Sequence, residues 1–126
     1  MKKITLSVVL ACQIFFVGFN LVNFWAEWQY SHGNFYEAAI IQPLSWRYQF
    51  RIGTILLKAD RPDLAIRPLM AAWRLFPGYF DAGNNLAIAL AGAGRKQEAI
   101  ALLQEIIQYW PYERAMKNLA RIRNSN

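Results

Sequence analysis

The chain has 126 residues, enough for one domain or a small domain with an appendage. Its apolar fraction of 56% exceeds the roughly 45–50% of soluble domains, so some apolar surface has a use beyond a water-soluble core. One cysteine (Cys12) and one histidine (His32) exclude a disulfide framework and an ordinary zinc site of about four such ligands, and the net charge of +6 is concentrated at the two ends.

From Ile4 through Ala26 no residue is charged, between Lys2-Lys3 on one side and Glu27 on the other. As a helix rising about 1.5 Å per residue this run spans roughly 34 Å, enough for a hydrocarbon layer of about 30 Å. Trp25, Trp28 and Tyr30 follow at the far end, where amphipathic rings favour the headgroup layer. The lysine pair favours a cytoplasmic N-terminus, which puts the rest of the chain outside the cytoplasm of a bacterial-type inner membrane. No A-x-A-like site closes the apolar run, and Val9-Leu10-Ala11-Cys12 is a poor lipobox because apolar residues continue after Cys12. The segment is therefore expected to stay attached as a single-pass anchor, with the membrane reached through residues 4–26.

Polar and small residues punctuate this segment. Gln13 and Asn20 share a helical face, with Asn23 further along it, while Ser7, Ala11 and Gly18 form a small-residue face. Amides in hydrocarbon seek partners and small residues let helix backbones approach, so both faces are expected to contact other helices.

Gly33-Asn34-Phe35-Tyr36-Glu37-Ala38 reads as an inter-helix turn running into a helix, with Asn34 and Glu37 as a reciprocal cap and His32 as a turn residue. Beyond it the chain repeats. Pro43, Pro77 and Pro111 are each 34 residues apart, and between the last two the register holds in detail. Ile52 matches Leu86, Gly53 matches Ala87, Leu56 matches Leu90, Ala65-Ile66 matches Ala99-Ile100, Leu69 matches Leu103, and Phe76-Pro77 matches Trp110-Pro111. Small residues stand where a first helix A crosses a second helix B closely, and large apolar residues fill the interface between them. Proline ends one helix and suits the first turn of the next. Asp60 and Asp63 are read as acids capping a helix start, and Gly92-Ala93-Gly94 as an inter-helix turn rather than a phosphate loop.

Period and pattern over about Leu44 to Glu113 resemble the tetratricopeptide repeat, which implies an all-α array of helical hairpins. The family's usual tryptophan near the start of helix A is replaced by Gln49 and Gly83. Ala26 to Ala38 spans 12 residues, as do Gly53 to Ala65 and Ala87 to Ala99, whereas Ala38 to Pro43 is shorter by seven than its counterparts. The end of the hydrophobic helix is thus expected to serve as helix A of a truncated first repeat, continuous with the array. The expected division is 1–31 for the hydrophobic helix, 32–43 for a short helix B, 44–77 and 78–111 for two repeats, and 112–126 for a basic capping helix. Ala115, Met116, Leu119 and Ile122 are expected to face inward from that last helix.

The resemblance also implies a concave groove lined by Arg47, Phe50, Thr54 and Leu57 from one repeat and Asp81, Asn84 and Ile88 from the next. The lysine-rich carboxylate clamp of chaperone-binding members is absent, since Phe50 and Asn84 stand at its positions, so capture of a peptide C-terminus is not expected. Aromatic residues crowd the Pro77 and Pro111 junctions and are read mainly as packing between repeats. No catalytic constellation is present, so the chain is expected not to be an enzyme and to need no cofactor or metal. The basic tail is read as a solvated helix face, and nucleic acid is not an expected partner. The sequence points to a scaffold or assembly subunit of the cell envelope that binds protein partners. The rival reading is a self-assembling extracellular filament with the apolar helices bundled in its core.

Overall fold

A computed structural model describes residues 2–125, with side chains described from residue 8 onward. Among the described residues it consists of seven α-helices and no strand. They are α1 (Lys2–Ser31), α2 (Phe35–Ile41), α3 (Trp46–Lys58), α4 (Pro62–Leu75), α5 (Phe80–Gly92), α6 (Lys96–Tyr109) and α7 (Glu113–Asn124). The chain divides into two compact units, Met1–Pro43 and Leu44–Asn126. The fold is all-α, as the periodicity and the resemblance implied.

The first unit is α1 and a short α2 packed back along its end. Ala26 of α1 and Ala38 of α2 are fully buried, which lets the two backbones come close. The Gln42 amide donates to the Asn23 side-chain oxygen, and the Tyr30 and Phe35 rings meet edge to face at 5.3 Å. Farther back along α1, every residue from 8 to 22 is exposed.

In the second unit each helix packs on the next, while α5 also touches both α3 and α7. These three therefore line one face, and α4 and α6 form the layer behind. The core between the layers holds Leu69, Leu86, Leu90, Leu103, Ile106 and Ile122, spaced by the fully buried Ala65, Ala87, Ala99 and Ala115. The 34-residue period is reproduced by the helices themselves, α3 and α4 recurring as α5 and α6 with the same offset at both ends. Two glycines carry the closest crossings. A Cβ at Gly53 would sit 2.4 Å from Leu69 Cγ, and one at Gly83 would sit 2.7 Å from Ile106 Cδ1 and 3.0 Å from Trp73 Cε3. The ring missing from position 83 is thus supplied by Trp73 of the preceding helix, which fills the space that a side chain there would take.

The three inter-helix turns are built alike. Gly33, Asp60 and Gly94 each have positive φ, at 83°, 55° and 80°. In each, the following N–H bonds back five residues, from Asn34 to Gln29, Arg61 to Leu56 and Arg95 to Leu90, at 2.8–2.9 Å. This left-handed cap satisfies helix-end carbonyls and favours glycine, because a Cβ there crowds the backbone. Asp60 is therefore a C-terminal turn residue of α3, not an N-terminal cap of α4, whose first residue is Pro62. Replacing Asp60 by glycine is expected to stabilise the second unit by about 0.5–1 kcal/mol, read as a rise in thermal midpoint.

Two further expectations are corrected. Asn34 makes no side-chain cap; its Nδ2 donates to Gln29 Oε1 at 2.8 Å, back toward the end of α1. Met116 is exposed, since α7 begins at Glu113 and turns Ala115 and Ile122 to the core. Pro68 lies inside α4, where it removes one backbone donor without ending the helix.

Candidate functional site

The face made by α3, α5 and α7 carries the polar side chains that tie successive repeats together. Thr54 Oγ1 donates to the Phe50 carbonyl at 2.8 Å and accepts from Asn85 Nδ2 at 3.3 Å, joining α3 to α5. Asn118 Nδ2 donates to Asn84 Oδ1 at 2.8 Å, joining α5 to α7 at equivalent positions one period apart. The Asp81 carboxylate accepts from both the Tyr112 hydroxyl and Arg114, the latter at 2.5 Å. These bonds lie in line because the period returns each helix to the same orientation.

Each residue that the sequence assigned to the groove has a definite place. Arg47 is exposed, and Phe50 is half-buried with its ring 4.9 Å from Tyr79, edge to face. Thr54 and Leu57 are half-buried on α3. On α5, Asp81 and Ile88 are half-buried, but Asn84 is buried, with its Nδ2 lacking a hydrogen-bond partner. An unpaired buried donor of this kind costs roughly 1–3 kcal/mol. Ile88 lines a cavity of about 280 Å³ with Gly92, Arg121 and Ile122, at the α5–α7 end of the face. Asn85, Tyr112, Arg114 and Asn118 belong to the same face and were not assigned to the groove from the sequence. Carrying the 34-residue register one step further, from Asn84 to Asn118, would have found the last of them.

The electrostatics of this face set a pH dependence. Burial pushes the Tyr112 phenol above its ordinary range, and the hydrogen bond to Asp81 adds to this while Arg114 opposes it. A phenol raised in the folded state contributes stability fully present below its unfolded value and lost as pH rises through its folded value. Stability is thus expected to hold on approaching pH about 10 and to decline above it. Denaturant titrations of the native chain and of Tyr112→Phe should show a smaller alkaline decline in the variant. At the acid end, hydrogen bonds from Arg95 and Lys117 hold the exposed Glu98 and Glu113 below the usual carboxylate range.

The second candidate surface is α1. Ala11, Gln13, Gly18 and Asn20 are exposed, Asn23 is half-buried and holds Gln42, and the Ser7 side chain lies outside the described residues. Asn20 Nδ2 donates to the Phe16 carbonyl at 2.7 Å, so one of its donors is satisfied within the helix. Phe15, Gly18, Phe19 and Val22 border an open apolar groove along it. Val8–Ser31 is long and apolar enough to cross a membrane. At its far end the Trp25 and Trp28 rings stack at 4.9 Å, and His32 stacks on Trp28 at 4.2 Å.

Among the described residues no group of three or more His, Cys, Asp or Glu side chains is placed to hold a metal ion. The family described as Tetratricopeptide repeat matches residues 50–115. Among solved structures, the chain is similar to the first TPR of Spaghetti (RPAP3) bound to the HSP90 peptide SRMEEVD, with 14% identity and a TM-score of 0.61. That likeness covers 82% of this chain and 88% of the other. It is also similar to the MamA RS-1 ArsTM double mutant, with 19% identity and a TM-score of 0.63, over 80% of this chain and 61% of the other. At these identities the likeness shows the fold alone. No curated protein matches the chain.

Proposed function

Because the chain belongs to the tetratricopeptide repeat family, a fold of protein–protein interaction scaffolds, we propose that it is a non-catalytic, membrane-anchored assembly subunit. In this reading α1 crosses the bilayer once with its N-terminus in the cytoplasm, and the repeats present a partner-binding face outside it. The main support is that every residue from 8 to 22 of α1 is exposed and most of them are apolar. An apolar patch of this extent on a water-soluble monomer would be exceptional. Stacked Trp25 and Trp28 at the far end suit the headgroup layer, and the two N-terminal lysines suit the cytoplasmic side.

The partner would lie along α3, α5 and α7, contacting Arg47, Phe50, Thr54, Leu57, Asp81 and Ile88. Asn84 acts there through Asn118 rather than by direct contact, because it is buried. The Spaghetti domain holds a peptide of HSP90. Here a helix or extended segment of another envelope protein is the corresponding occupant, held along its length and not by its carboxylate end.

Alkaline carbonate extraction with protease treatment of spheroplasts tests the anchor. The chain should stay with the membrane and lose its repeats to external protease; release into the supernatant would refute the reading. Photo-crosslinkers at Thr54 and Ile88 test the groove, and should capture the same partner from both positions. Long fibres formed by the purified chain alone in mild detergent would instead favour self-assembly over a scaffold.

A further inference from the structure

The loops joining α4 to α5 and α6 to α7 lie on one edge of the unit Leu44–Asn126, opposite the edge formed by the Asp60 and Gly94 turns. Exposed large apolar side chains are unevenly shared between the two. Leu44, Leu75, Phe76, Tyr109 and Trp110 all belong to the loop edge, with Leu44, Tyr109 and Trp110 exposed by 79%, 76% and 59%. The turn edge carries Lys58, Asp60, Arg61, Arg95 and Lys96. The repeat is what aligns the apolar residues: Leu75-Phe76 and Tyr109-Trp110 are one period apart, each at the end of a helix B and directly before a proline. Beside them opens an apolar cavity of about 400 Å³ between Trp73, Phe80, Ile106 and Tyr109.

Packing within the unit accounts for Phe76 in part but not for the rest of this row. Trp46, Phe76 and Tyr79 form ring contacts of 4.7–5.2 Å, yet Tyr109 and Trp110 project beyond any such cluster. Trp and Tyr rings with one apolar body and one polar tip are the side chains that settle at a membrane–water boundary. Arg74, adjoining Leu75, offers a planar donor suited to lipid phosphate. Leu44 follows the end of α1 by only 13 residues, which even fully extended reach about 45 Å, so a bilayer holding α1 is always near.

We propose that this loop edge lies in the lipid headgroup layer, with Leu75, Phe76, Tyr109 and Trp110 as the inserted side chains. The inference rests on the anchor reading above. It makes the repeat array a body seated on the membrane surface, with the polar turn edge in water.

Single nitroxide labels on the full-length Cys12→Ser chain, reconstituted in phosphatidylcholine vesicles, test it. Labels at Gly78 and Gln108 flank the aromatic row and leave it intact; a side chain at Gly78 meets nothing closer than 3.7 Å. Gln97 on the turn edge and Phe15 in α1 are the references. Collision with a water-soluble nickel chelate should be several-fold lower at Gly78 and Gln108 than at Gln97, and oxygen collision higher. Adding Phe76→Ser and Trp110→Ser should return both labels to water. If both labels match Gln97 while Phe15 is in hydrocarbon, the headgroup seat is wrong and the anchor stands. If Phe15 is also in water, the anchor fails and the inference with it. Labels shielded from both reagents would mean that protein, not lipid, covers the edge, which overturns the proposal.

Discussion

Replacing Leu69 by alanine is expected to destabilise the repeat unit by about 2–5 kcal/mol, a large share of what a unit of this size has. Leu69 is fully buried and its branch point sits in the notch that Gly53 leaves in α3. The reciprocal change, Gly53→Ala, gains about 1 kcal/mol of helix propensity but drives a methyl to 2.4 Å from Leu69 Cγ. The contact falls on the branch carbon of a side chain with no free space, so overpacking of about 1–3 kcal/mol outweighs the propensity gain. The double variant should be more stable than the sum of the two single losses, because the new methyl enters the space vacated by leucine. Coupling of about 0.5–3 kcal/mol, measured by denaturant titration of all four forms, would establish that the pair is one packing element. Strict additivity would show that α3 and α4 shift apart instead.

That pair also shows why the fold could be read from the sequence. A small residue facing a large one, repeated at 34 residues, is a statement about two helices crossing, and Gly53, Ala87, Leu69 and Leu103 made it twice. What escaped were features fixed by a single local choice. Asp60 has the composition of a helix cap, but the 34-residue register pairs it with Gly94, and it is this position that dictates its left-handed backbone. Asn34 and Glu37 have the spacing of a reciprocal cap, yet the Asn34 side chain makes no cap bond and its Nδ2 donates to Gln29 on the previous turn. Met116 looked inward because apolar residues usually do, although α7 packs on α5 and α6 with Ala115 and Ile122 and leaves Met116 exposed.

The candidate site was less legible than the fold. Arg47, Thr54, Asp81 and Ile88 were assigned to one face only through the groove positions that the resemblance to the repeat family implied. Which of them is open depends on partners a period away: Asn118 engages Asn84, and Tyr112 with Arg114 engages Asp81. A pattern within one repeat cannot report contacts made by the next.

Single arginines at Phe15, Phe16 and Val17 are each expected to release the chain from the membrane, and the comparison among the three carries more than any one of them. The three side chains are exposed and project from successive faces of α1, about 100° apart. An arginine near the middle of a spanning helix costs about 2.5–3.5 kcal/mol, on the order of a hundredfold in the partition between membrane and water. In lipid every face meets hydrocarbon, so all three variants should fail alike in carbonate extraction. Depth, not direction, then sets the penalty, and Val8→Arg should be tolerated because its side chain can reach the interface beside Lys3. If α1 were instead packed in a bundle of protein helices, the face would decide. One of the three positions would then tolerate arginine where the bundle meets solvent, and Val8 would gain no advantage from its position along the helix. A penalty graded by depth and equal around the helix is therefore the signature of a bilayer, and a penalty that follows the helix face would remove the anchor from the proposed function.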